Sequence, residues 1–259
     1  MQHVENKIQK PELQIPFLSR DSTSIFLTLP SKINIYIKNG NSISFERLTR
    51  LDDNFIRDFI CFTAMAIIFI QRGMPVFKGS CFELNGHTIS VLGSSGLGKS
   101  AICASMALSG GKLITDDILV ISDDLKVLKG PAYAKIWLDS LVELGINHEE
   151  YCRTQANLNR FNVPLPILQE SSSTIEQIYI LDFWEGDSIL INTIEGGDKL
   201  NRLIRAAYQD SYITSDTRSD MVMRYIKIAQ QVPVKIVRRP QSGVPILSIA
   251  ERILADSEL

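Results

Sequence analysis

Apolar residues dominate two early stretches, "SIFLTL" (Ser24–Leu29) and "INIYI" (Ile33–Ile37), which are rich in β-branched and aromatic side chains. That pattern predicts short strands between Ile15 and Phe45, with a tight turn at "KNGNS" built on Asn39-Gly40. The dozen residues before them are polar and predict a loose lead-in. From Leu51 the period changes. "LDDNFIRDFICFTAMAIIFIQRG" opens on Asp52-Asp53 and closes on Gln71-Arg72-Gly73, as a helix matched to its own dipole does. Its apolar centre, Phe59 to Ile70, is twelve residues long. A bilayer span needs roughly 20, so this segment predicts a buried helix.

Further along, "VFKGSCFEL", the turn "NG" and "HTISVL" read as a hairpin that runs into a glycine-rich loop. "KSAICASMALSGG" is a helix stopped by Gly110-Gly111. "KLITDDILVIS" is a strand interrupted by two aspartates, and "PAYAKIWLDSLVELG" passes from strand or loop into helix. Two strong strands follow, "IEQIYILDF" and "DSILINTIEGG". One helical stretch then extends from "DKLNRLIRAAYQDSYI" through "SDMVMRYIKIAQQ", and "VPVKIVRRP" closes as a strand. The expected organisation is a β-rich segment with its helix over residues 1–75, packed on an α/β domain over residues 76–259, with no internal repeat.

Composition narrows the function classes. A chain of 259 residues can bury a proper core. Its formal net charge of −2 argues against a dedicated nucleic-acid binder, which is usually distinctly basic. Cys61, Cys81, Cys103 and Cys152 form no C-x-x-C pair, and His3, His87 and His148 are scattered, so neither a zinc site nor a disulfide framework is expected. The first residues, "MQHVENKIQKPEL", contain no secretory apolar region. Reduced thiols and a cytoplasmic protein without membrane partners are the expectation.

The loop "GSSGLGKS" changes the picture. Gly93, Gly98, Lys99 and Ser100 satisfy G-x-x-x-x-G-K-[ST] at each fixed position. At average residue frequencies, chance supplies this in about one chain in a hundred of this length. Here a strand also leads in and a helix leads out, which is the setting the motif requires. Glycines allow successive N–H groups to point inward as an anion nest at a positive helix end. Residues Gly93, Ser94, Ser95, Gly96, Leu97, Gly98, Lys99, Ser100 and Ala101 are therefore the expected nucleotide-phosphate cradle, for ATP with Mg²⁺. Lys99 reaches the β- and γ-phosphates and the Ser100 hydroxyl ligates the metal.

Seventeen residues after Lys99 comes "TDD", with Asp116 and Asp117. One helix and one short strand fit in that gap, so the two carboxylates are expected at the carboxyl end of a strand beside the loop. Adjacent carboxylates repel near a polyphosphate unless they have cationic work: one binds Mg²⁺, the other accepts a proton from an attacking hydroxyl.

"VLGSSGLGKS" followed at short range by "GGKLITDDILVIS" resembles the catalytic domain of bacterial HPr kinase/phosphorylase and its relatives. The approach "FTAMAIIFIQRGMPVFKGSCFELNGHTISVLG", with "PAYAKIWLDSLVELG" and "VPVKIVRRP", is similar to the smaller HPr-kinase-like proteins, several of which phosphorylate a serine of lasso-peptide precursors. The resemblance implies an α/β P-loop core of the HPr-kinase/PEP-carboxykinase type with a mixed sheet. It implies a kinase moving the γ-phosphate of ATP to a serine of a peptide or small protein. Asp117 would be the base, Lys99 the phosphate-binding lysine and Asp116, with Ser100, the metal ligand; the two aspartate roles are open to exchange. A small-molecule kinase and a nucleotide-binding regulator without turnover are the alternatives. Because the bifunctional relatives form rings, a homo-oligomer is a further possibility.

One position departs from that family. Lys78 stands where the relatives commonly carry a histidine, and a lysine meets phosphate as a point charge. Phosphorylase-type reversal is therefore in question. Lys78, Lys135 and Arg160 are candidates for substrate contact. A core role for Trp137 beside a snorkelling Lys135 competes with that reading. Asp139 fits a helix N-cap better than a metal ligand. Arg202 and Arg205 share a helix face, for which attraction of an acidic peptide and a solvated surface are the two readings, the solvated surface being the better fit. Cys103 fits a small buried position.

Overall fold

The computed structural model describes residues 3–155, 157–208, 210–241 and 243–257. The chain divides into two compact units: Met1–Val76 with Tyr208–Arg224, and Phe77–Ala207 with Tyr225–Leu259.

In the first unit, β1 (Leu13–Ile15), β2 (Leu18–Arg20), β3 (Ser24–Leu29), β4 (Ile33–Lys38) and β5 (Ser42–Arg47) form an antiparallel meander in sequence order. The alternation along β4 sends Ile33, Ile35 and Ile37 inward, all fully buried. Asn39 and Gly40 both take positive φ (56° and 62°) in the β4–β5 turn, the conformation that matches strand twist. The lead-in is not loose. Val4 is buried, its N–H donates to Glu46 Oε2 at 3.0 Å, and His3 Nδ1 lies 2.8 Å from Glu46 Oε1. One apolar residue and one buried-side carboxylate anchor a segment whose composition is otherwise polar.

The helix that follows starts as α1 (Asp53–Asp58), capped by the Asp52 side chain, which accepts from the Asn54 N–H. It widens into a π-helical turn over Phe59–Ala64 and resumes as α2 (Met65–Gln71). The 208–224 segment returns to this unit from far along the chain, and Ser215 Oγ donates to Glu12 Oε1 at 2.8 Å. Among the described residues no helix is long and apolar enough to cross a membrane.

The second unit is built on β6 (Val76–Leu84) and β7 (His87–Leu92), the hairpin expected over Asn85-Gly86. There follow α3 (Lys99–Leu108), β8 (Lys112–Thr115), β9 (Ile118–Val120), β10 (Lys126–Leu128), β11 (Tyr133–Trp137) and α4 (Leu138–Glu143). Then come β12 (Arg160–Pro164), β13 (Ser172–Thr174), β14 (Gln177–Phe183), β15 (Leu190–Thr193), α5 (Gly196–Ala206), the part of α6 (Ser215–Gln231) from Tyr225 onward, β16 (Val234–Arg239) and α7 (Ile246–Asp256).

Seven strands make one mixed sheet, in the order β15-β16-β14-β7-β6-β8 with β9 on β6. β7, β14 and β16 are parallel, while β15, β6 and β8 join antiparallel. Since β6 opposes both β7 and β8, those two run the same way and their carboxyl ends share one edge. Helices α3 and α7 contribute Ile102, Met106, Ile249 and Ile253 to a core with Val91, Leu113 and Tyr179 of the sheet. Each such aliphatic side chain, fully buried, is worth about 1.5–3 kcal/mol.

Two readings of the pattern are corrected. The helical stretch from 198 to 231 is interrupted: α5 begins earlier, at Gly196-Gly197, and ends at Ala207, which is extended (φ −62°, ψ 151°). The last strand does not close the fold, because α7 follows it. Its apolar period was present in the sequence as Ile246, Ile249, Ala250 and Ile253, all buried on one face.

Candidate functional site

The loop from Gly93 to Ser100 leaves β7 and enters α3, whose N-cap is Gly98 at φ +94°. A Cβ on Gly98 would stand 2.7 Å from Ile246 Cδ1, and one on Gly93, at φ +144°, would stand 3.0 Å from the Leu181 carbonyl oxygen. Both positions therefore need glycine for space as well as for backbone conformation. No side chain caps α3, so the first N–H groups of the helix stay available at its positive end. Lys99 Nζ donates to the Ser94 carbonyl at 2.7 Å, folding over the loop. Ser95, Gly96, Gly98, Lys99, Ser100 and Ala101 line a cavity of about 290 Å³. Gly93 and Ser94 face a second cavity, and Leu97 packs into the core.

Asp116 and Asp117 follow β8 and lie at the same sheet edge as the loop. β8 is not the neighbour of β7, as the chain spacing implied; β6 intervenes. That intervening strand supplies Ser80, whose hydroxyl donates to Asp116 Oδ1 at 2.5 Å. The Lys135 N–H donates to Asp116 Oδ2 at 2.8 Å, and Ser100 is a further group that favours the ionised carboxyl. Asp116 is fully buried. Burial raises its pKa and the neighbouring Asp117 charge adds to that, only partly offset by Ser80, the Lys135 N–H and Ser100.

Asp117 takes the left-handed conformation, φ +71°, which aspartate tolerates better than most residues. Its carboxylate reaches the cavity, where Lys135 Nζ lies 3.0 Å from Oδ2. Burial alone would raise this pKa, but Lys135, Arg160 and Lys78 outweigh it and hold the carboxyl below its ordinary value. Burial lowers the Lys99 ammonium, with Asp116 and Asp117 working against that effect. Two adjacent carboxylates thus occupy different environments, one sealed beneath the site and one facing it.

The remaining candidates fall into place around this pair. Lys78, Lys135 and Arg160 all line the cavity. Arg160 Nε donates to the Lys135 carbonyl at 3.2 Å, and its guanidinium lies 5.9 Å from the Trp137 ring centroid. Trp137 is 42% exposed, so it is a wall of the cavity and not a core residue; the lysine beside it is the buried one. Asp139 also faces the cavity, within the first turn of α4, but the N-cap position belongs to Trp137. Cys103 is buried as expected. Arg202 and Arg205 lie outside this cavity.

Three further residues were not singled out from the sequence. Ser80 was visible only as a small residue; its partner Asp116 is 36 positions away. Phe183 and Arg239 come from the ends of β14 and β16, with the guanidinium 5.6 Å from the ring, and wall the cavity opposite Lys135. Nothing local marks them, because parallel strands from distant segments bring them together.

The donor set fits a polyphosphate. Lys78, Lys99, Lys135, Arg160 and Arg239 face the cavity, against the carboxylates of Asp117, Asp139 and Glu143. Among the described residues no three His, Cys, Asp or Glu side chains gather as a metal cage. Mg²⁺ does not need one: it is usually held by one or two carboxylates, phosphate oxygens and waters. Ser100, which lines the cavity, and the buried Asp116 are the pair expected in that role.

No family model matches the chain, and no curated protein matches it. Among solved structures, the Hpr(Ser) kinase/phosphatase from Coxiella burnetii is similar, at 12% identity and a TM-score of 0.33, over 71% of this chain and 99% of that one. A superposition that loose leaves the site's own geometry to carry the functional reading.

Proposed function

We propose that this protein is an ATP-dependent kinase that transfers the γ-phosphate to a serine hydroxyl of a peptide or small protein, with Mg²⁺. A lasso-peptide precursor is the preferred acceptor, from the sequence resemblance. The observation that carries the reading is the division of labour between adjacent aspartates at the mouth of a glycine loop. Asp116 is sealed and accepts hydrogen bonds from Ser80 and the Lys135 N–H, while Asp117 faces a cation-rich cavity.

In this reading the N–H groups of the loop and Lys99 bind the phosphate chain, and Ser100 with Asp116 holds the metal. Bound magnesium would supply neutralisation of charge on the phosphates. Asp117, held as a carboxylate by Lys135, orients the acceptor hydroxyl and receives its proton. Lys135, Arg160 and Lys78 balance the negative charge around the transferred group. Phosphoryl transfer makes little demand on covalent chemistry from the protein, so positioning and electrostatics are the catalytic means.

The test is incubation of the purified protein with Mg²⁺, γ-labelled ATP and serine-containing peptides, with Asp117→Asn in parallel. Label on the peptide that disappears in the variant is the expected result. Nucleotide binding without a labelled acceptor, across a broad peptide and metabolite screen, would sink the kinase reading.

A further inference from the structure

A second cavity, of about 440 Å³, opens on the other side of the glycine loop. Its floor is the loop at Gly93, Ser94 and Ser95, and its far wall is α5, which presents Arg202 and Arg205. Lys78 and Ser95 line both cavities, so the two meet at these residues. Arg202 is held in place by carboxylates: Nε lies 3.0 Å from Asp198 Oδ2, and Nη1 lies 3.6 Å from Asp182 Oδ2. Arg205 is exposed, and no carboxylate pairs with it among the described residues. Lys78, Arg202 and Arg205 face this space against one lining carboxylate, Asp182. The surplus of positive charge is local, since the whole chain carries a net charge of −2.

We infer that this second cavity binds a carboxylate-bearing segment of the acceptor, placing acidic residues beside α5 while the serine reaches Asp117 at the junction marked by Lys78. The inference rests on the kinase reading for the identity of the ligand as acceptor. Three features lead to it. Arg202 and Arg205 are not among the residues that line the first cavity with Lys99 and the α3 terminus, so their charge is directed at the second cavity. The junction at Lys78 is also where an acceptor must arrive, because Lys78 and Asp117 line the same cavity. Finally, the arginines stand on a regular helix: Asp198 braces Arg202 one turn earlier, which leaves Arg205 free to turn to a ligand. A forked guanidinium that is already charged matches a carboxylate well.

The test uses fluorescein-labelled synthetic peptides of one length, each with a single serine flanked by Asp/Glu, by Asn/Gln or by Lys, all with amidated carboxyl ends. Binding is read by anisotropy in the presence of Mg²⁺ and a non-hydrolysable ATP analogue, and phosphorylation by transfer of label. A fourth probe, the neutral peptide with a free carboxyl end, separates side-chain from terminal carboxylate, and inorganic phosphate is added as a competitor. The expected result is a preference for acidic peptides that weakens with salt and falls about tenfold in Arg205→Glu, the change of roughly 1.4 kcal/mol expected on reversing a partly screened charge. In that variant the Lys-flanked peptide gains, and the Kd for nucleotide stays as in the wild type. Arg205 is exposed, so circular dichroism should be unchanged and loss of fold does not confuse the readout.

Equal binding of the three amidated peptides, or an acidic preference that survives Arg205→Glu, overturns the inference even where label is transferred. Arg205-dependent binding of acidic peptides with no transfer to any of them overturns the acceptor role of this cavity, whereas the kinase reading falls only with the broad acceptor screen. Displacement of the acidic peptide by inorganic phosphate at low concentration, without any effect of the flanking residues on transfer, assigns the cavity to free phosphate and also overturns it.

Discussion

Lys135 Nζ meets Asp117 Oδ2 at 3.0 Å across eighteen residues of chain, while the N–H of the same lysine donates to Asp116 at 2.8 Å. One residue thus fixes both carboxylates, by its backbone for the buried one and by its side chain for the one that faces the cavity. The strand β11 that carries it is therefore part of the site as fully as the glycine loop.

Replacing that ammonium by a chain of similar length, Lys135→Met, removes the main influence that opposes burial at Asp117. The Asp117 pKa should rise, and the acid limb of the rate profile for peptide phosphorylation should move to higher pH. A ¹³C titration of the aspartate carboxyls reads the same shift without turnover. An acid limb and a titration that both stay in place would contradict the electrostatic account.

Asp116 and Asp117 have opposite linkage to stability. The folded state raises the Asp116 pKa, so the stability from its protonation is complete below the ordinary aspartate value of about 4 and is lost as the pH rises through the folded value. The folded state lowers Asp117, whose contribution is present above that ordinary value and is lost as the pH falls through the folded one. Urea unfolding from pH 3 to 7 should therefore show Asp116→Asn gaining on the wild type as pH rises. Parallel curves would refute the sign.

Ser80→Ala deletes a hydroxyl that donates to a carboxyl with no access to water. The expected cost is about 1–3 kcal/mol of unfolding free energy, the range for leaving a buried polar group short of a partner. Because Asp116 also sits beside Ser100, the Mg²⁺ concentration for half-maximal activity should increase. An unchanged Mg²⁺ dependence would leave Ser80 with a structural role only.

Lys99→Ala should lower turnover by about 10²–10³-fold, as loss of a group that stabilises developing charge does. Nucleotide affinity, measured by calorimetry, should fall with it. A variant as active as the wild type would remove the loop from the mechanism.

Gly98→Ala meets two obstacles, a left-handed backbone and Ile246 Cδ1 at 2.7 Å from the new methyl. Destabilisation of about 1–2 kcal/mol is expected from the backbone alone. Ile246→Val removes the clashing methyl, so the double variant should recover part of the loss in chemical denaturation and keep the backbone part. Strictly additive effects would show that the contact is not felt.

Local chemistry made much of this protein readable from its residues. The β6–β7 hairpin over Asn85-Gly86, the glycine loop with its strand and helix, and the two aspartates at a strand end all follow from neighbours in the chain. Glycine conformation, side-chain period and helix-end dipoles act over a few residues, so the sequence determined these elements by itself. The helix α7 was equally local in its period and needed only the pattern to be followed past the last strand. Tertiary structure alone decided the rest. Ser80, Lys135 and Ser100 come together on Asp116 because an antiparallel strand inserts between β7 and β8. Phe183 and Arg239 meet because parallel pairing aligns the ends of β14 and β16. The same packing separates Asp116 from Asp117: dehydration raises one, and cations from distant strands lower the other. Burial and long-range strand order are properties of the assembled sheet, and two identical side chains, adjacent in sequence, acquire different chemistry only there.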